Sequence, residues 1–172
     1  MSQRLTPKFL TAEVVQTAVS MVLGGFMFNG KMDMVLNRKM CHIVVVVPAG
    51  EEARNSDWPD YSVTPNCIFE ASVGNKSDWP HEFDEIARSK ARQLWRGQNT
   101  DGNTDSMAHL LFPGDTPYWG GVKRHGIVVA CSGVQPYFDQ MISGMIADAI
   151  KAFARFHFEN SADKKEERSF LE

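Results

Sequence analysis

Residues 42–47 read His-Ile-Val-Val-Val-Val. Four consecutive valines leave no polar alternation, so no face of this segment is built for water. β-Branched side chains pack well on a pleated surface, and a continuous apolar run marks a strand buried on both sides. Pro48-Ala49-Gly50 stops it. A chain that carries such a strand must supply a cover for each face of its sheet, which narrows the fold to layered architectures.

The covers are legible as helices. Thr6-Pro7 and Thr11 offer starts, and Val14, Val15, Ala18, Val19, Val22 and Leu23 recur at helical spacing up to Gly24-Gly25, which is expected to end the helix. Asp78 and Pro80 open a second helix over about residues 79–96. Acids crowd its first turn and Arg88, Lys90, Arg92 and Arg96 occupy the later ones, before Gly97. A third, over about 137–157, carries Phe138, Met141, Ile142, Met145, Ile146, Ala149, Ile150, Phe153 and Phe156 at the helical period. Further strands are expected at Cys67–Val73, at Met107–Phe112 and on both sides of the Lys123-Arg124-His125-Gly126 turn. Strands and helices do not alternate one by one. The expectation is an α+β domain over residues 1–160, an antiparallel sheet of about five strands with helices packed on its faces. Residues 51–66 read as a loop or insertion, and 161–172 as a polar, solvated tail.

Several function classes fall away. The net charge is −3, with no broad basic field, so no nucleic-acid partner is expected. No apolar run approaches the ~20 residues that span a bilayer, and the first ten residues lack a signal-peptide core, so the expected location is cytoplasmic with no membrane partner. Three cysteines, Cys41, Cys67 and Cys131, each border an apolar run and read as small core residues in a reducing compartment. Cys131, between strand and helix, has a minor reading as a thiolate nucleophile. No zinc spacing, phosphate loop or nucleophile elbow is present.

Four stretches carry a family resemblance: Leu10-Thr11-Ala12, the valine strand, the Lys90-Ala91 pair within Ala87-Arg88-Ser89-Lys90-Ala91, and the block of Gly120-Gly121, Gly126, Ser132-Gly133 and Asp139. Together they resemble the GlcG family, which includes the haem-binding HbpS proteins and the C-terminal domain of PduO. The resemblance implies a homo-oligomer and, as in some members, a bound haem. The chain departs from the family pattern at Pro48-Ala49-Gly50, where an Asp is common, and at Val122-Lys123, where a proline usually follows.

The candidate site residues follow from both lines. His109, placed on the Met107–Phe112 strand beside Leu111, and His125 could ligate haem iron or move a proton. Lys123, Arg124 and His125 present three donors on one turn, able to grip a carboxylate; a plain solvated turn is the competing reading. Arg88 and Arg92, four apart on a helix, could clamp an acid or only complement a solvent face. Trp119 could wall a flat pocket or form an oligomer contact. His42, His81 and His157 read as structural. The first functional expectation is a small-molecule-binding protein for haem or another planar or carboxylated ligand. The alternatives are a cofactor-independent lyase or isomerase acting on a small, perhaps aromatic, organic acid, and an oligomeric scaffold without ligand.

Overall fold

The computed structural model describes residues 6–28, 35, 39–50, 65–98 and 108–171. The valine segment forms β1 (Cys41–Pro48), buried along its whole length. It pairs antiparallel with β2 (Pro65–Val73) on one side and β4 (Ile127–Ser132) on the other. The hairpin partner β3 (Gly121–Arg124) completes the order β2-β1-β4-β3. The fold is therefore α+β with an antiparallel sheet, and β1 sits inside it as its composition requires.

Alternation along β1 divides the core. Ile43 and Val45 join Val122, Ile127, Val129 and Cys131 against helices α1 (Ala12–Phe28) and α3 (Pro136–Asn160). Val44 and Val46 join Val128 and Ala130 against Ala87, Ala91, Leu94 and Trp95 of α2 (Phe83–Trp95). Full burial of a valine contributes about 1.5–3 kcal/mol over exposure. Only a cover on both faces collects that gain from consecutive valines.

The sheet has four strands among the described residues, where about five were expected. The segment expected as a strand at Met107–Phe112 is instead a single exposed 3-10 turn at Ala108–Leu110, with Met107 outside the described residues. Side chains satisfy its backbone: Gln98 Nε2 donates to the Leu110 carbonyl at 2.6 Å and the Phe112 N–H donates to Asp115 at 2.9 Å. A ladder has nothing to add there, and Pro113 ends the run.

Helix boundaries differ in informative ways. Thr11 caps α1, its hydroxyl accepting from the Val14 N–H at 3.2 Å. Yet α1 continues through Gly24-Gly25, because the buried Phe26 beyond them packs on the core. Gly24→Ala should therefore raise stability by about 0.5–1 kcal/mol, since a Cβ there meets nothing within 4 Å. A urea titration showing no gain would count against it. Helix α2 begins at Phe83 and not near 79. Trp79 precedes Pro80 and is held extended at ψ 129°, as a residue before proline prefers. Asp78 therefore closes a 3-10 turn, Lys76–Asp78, instead of capping α2.

The polar tail is tied down at one point. Ser161 caps a short helix, α4 (Ala162–Lys165), whose buried Asp163 meets Lys8 and Arg168. No helix among the described residues is long and apolar enough to cross a membrane.

Candidate functional site

The inner face of α2 is apolar at Ala87, Ala91 and Leu94, but the same face carries Lys90, only 1% exposed. A buried ammonium must find partners. Its Nζ donates to the Cys131 carbonyl at 2.8 Å and to Asp139 Oδ2 at 3.0 Å. Asp139, 3% exposed, stands in the first turn of α3. Its other oxygen accepts from the Val134 N–H at 3.2 Å, so the side chain reaches back to satisfy the turn that leads into its own helix. Three elements, α2, the end of β4 and the start of α3, thus meet on one ion pair.

Gly120 makes the approach possible. Its φ is +116°, and a Cβ there would lie 2.6 Å from Asp139 Cβ and 3.2 Å from Lys90 Nζ. Burial pushes the Asp139 carboxyl above the ordinary range; the Lys90 charge and hydrogen bonds from Lys90, Val134 and Cys131 oppose it without cancelling it. Burial likewise raises the Cys131 thiol well above its ordinary value, which removes the thiolate reading.

The pair opens on a cavity of about 330 Å³ walled by His81, Phe83, Ile86, Tyr118, Ser132 and Gln135. Of the three N–H groups of the Lys90 ammonium, two are engaged by Cys131 and Asp139. Residues Gln135 and Pro136, where α3 starts, also line the cavity. The N-terminus of a helix about 37 Å long adds positive potential. The Lys90 ammonium and the flat side chains of Phe83, Tyr118 and His81 thus border one cavity.

The residues singled out from the sequence lie elsewhere and do not converge. His109 is exposed on the 3-10 turn. Arg88 spans Glu70 and Glu85, and lies 3.5 Å from Asp84. Glu70 in turn takes His42 at 2.7 Å, whose other ring nitrogen meets Ser72 at 2.9 Å, making His42 a satisfied core histidine. The Glu70 carboxyl is pushed up by burial but held below its ordinary value overall by Arg88 and His42. Arg92 contacts Ser89 and Asp115.

Lys123 and Arg124 point to opposite faces of β3. Lys123 reaches the Trp95 carbonyl of α2 at 3.4 Å, and burial lowers its pKa. Arg124 reaches Asp148 of α3 at 2.6 Å. Trp119 is half-buried and does not line the cavity, whereas its neighbour Tyr118 does. His81 stands in the turn before α2 and also lines the cavity.

His125, at φ +47° in the β3–β4 turn, accepts at Nδ1 from Lys151 at 3.0 Å. His125 and the exposed His109 lie on separate segments, the β3–β4 turn and the 3-10 turn. No group of three or more His, Cys, Asp or Glu among the described residues is placed to hold a metal.

Lys90 and Asp139 are the site residues that periodicity alone passed over. A lysine in register with Ala87, Ala91 and Leu94 was the available signal. No family model, curated protein or solved structure matches this chain.

Proposed function

We propose that this chain is a small-molecule-binding protein whose ligand is a small organic acid, held by its carboxylate over Lys90 and the start of α3. The observation that carries this reading is a buried Lys–Asp pair bordering a cavity of about 330 Å³. That volume lies at the small end of ligand sites, which run to about 1,000 Å³. Phe83, Tyr118 and His81 would flank a planar body. A second reading, acid–base catalysis on the same acid, draws support from Asp139: a carboxyl raised by burial beside an ammonium suits proton exchange with a bound substrate.

A panel of aromatic and aliphatic mono- and dicarboxylates, followed by thermal unfolding and titration calorimetry, tests the proposal. A ligand that binds only the native state raises its stability by about 2.7 kcal/mol at a hundred times Kd. At least one acid should do so for the parent chain, with affinity weakened about tenfold or more by Tyr118→Ala, a change at a half-exposed wall residue. Indifference of the parent chain to every acid at millimolar concentration would overturn the reading. Proton exchange at a bound acid's α-carbon, followed in deuterated water, separates catalysis from binding.

A further inference from the structure

We infer a second ligand site, for an amphipathic carboxylate with an extended apolar body such as a medium-chain fatty acid, in a groove at the other end of β4. The organic-acid cavity adjoins Ser132 and Gly133; this groove adjoins His125, Gly126 and Ile127 and runs between the approach to α1 and the last turns of α3. Its volume is about 930 Å³, within the range of sites that enclose whole organic ligands.

Its walls are largely apolar. Phe9 and Phe158 meet edge to face with centroids 5.6 Å apart, and Leu10 and Ile127 extend the surface. Phe170 and Leu171 also line it while remaining 87% and 54% exposed. An apolar body in the groove would cover both and remove their apolar surface from water.

The charges select the head group. Among the described residues, the ionisable side chains lining the groove are Lys8, His125, Lys151 and Arg155, with no acid. The chain as a whole has 21 acids against 18 bases, so this asymmetry is local. Lys8 and Arg155 are matched from outside the lining by Asp163 and Glu159. Lys151 Nζ lies 3.0 Å from His125 Nδ1, and among the described residues of the lining no carboxylate opposes it. A single carboxylate beside Lys151 and Arg155 complements this rim, whereas a dicarboxylate without an apolar body would leave the walls wet.

Calorimetric titration of the full chain with dodecanoate, below its micelle concentration, tests the site. The expected result is saturable one-to-one binding. Dodecanol should bind about tenfold or more weakly, and so should dodecanoate to the Lys151→Met/Arg155→Met variant, with its circular dichroism unchanged. Tyr118→Ala should leave dodecanoate binding intact, which separates this site from the organic-acid cavity. Absence of saturable binding, or equal affinity for acid and alcohol, would overturn the inference, as would a charge-deleted variant that binds like the parent or dodecanoate binding that is lost in Tyr118→Ala.

Discussion

Lys90→Met is expected to cost about 3–5 kcal/mol at neutral pH, the scale seen when one partner of a buried ion pair is removed. The cost has two sources. The Cys131 carbonyl loses its 2.8 Å donor, and the Asp139 carboxylate is left buried without its counter-charge. The sign of the pH dependence follows. Burial already holds the Asp139 carboxyl above its unfolded value, and loss of Lys90, which lowers it, raises it further. A group raised in the folded state contributes stability below its unfolded pKa and loses it as pH climbs through the folded pKa. The deficit should therefore be largest at pH 7–8 and shrink toward the carboxylate range. Urea titrations across that window measure it. The paired change Lys90→Met/Asp139→Leu should recover much of the loss, because replacing a whole buried pair by apolar groups is often neutral. A deficit independent of pH, with no recovery in the pair, would mean that Lys90 matters only through packing.

Gly120→Ala should be of similar size, from a different cause. At φ +116° an alanine is strained by about 1–3 kcal/mol. Its Cβ would also sit 2.6 Å from Asp139 Cβ and 2.8 Å from the Pro136 carbonyl, both on α3, and overpacking of this kind adds about 1–3 kcal/mol. Gly114→Ala is the control: its φ is +91°, but a Cβ there meets nothing within 4 Å. Gly120→Ala should thus lose clearly more stability than Gly114→Ala, and weaken organic-acid binding in the molecules that still fold. Equal losses at the two positions would show that strain, and not the approach of α3, explains Gly120.

The elements that could be read from the chain are those whose pattern is local. Helices α1, α2 and α3 follow the 3.6-residue spacing of their buried side chains, and β1 follows from four valines that no half-exposed strand would carry. Where reading failed, a neighbour outweighed local preference. Phe26 carries α1 past two glycines, and Gln98 and Asp115 fold residues 108–112 into a turn. The candidate side chains show the same non-local effect. Charged and imidazole side chains at Arg88, Arg92, Arg124 and His125 look available in sequence, but each meets a partner from a distant element: Glu70, Asp115, Asp148 and Lys151.

Lys90 and Asp139 are 49 residues apart, on different helices. Sequence alone determined that a doubly buried strand exists and that amphipathic helices must cover it, because burial pattern is a property of each segment by itself. Which cation meets which anion, and whether the pair borders a cavity, was decided only when β4 set the start of α3 against the middle of α2. That pairing depends on the relative placement of three elements, and no periodicity within any one of them encodes it.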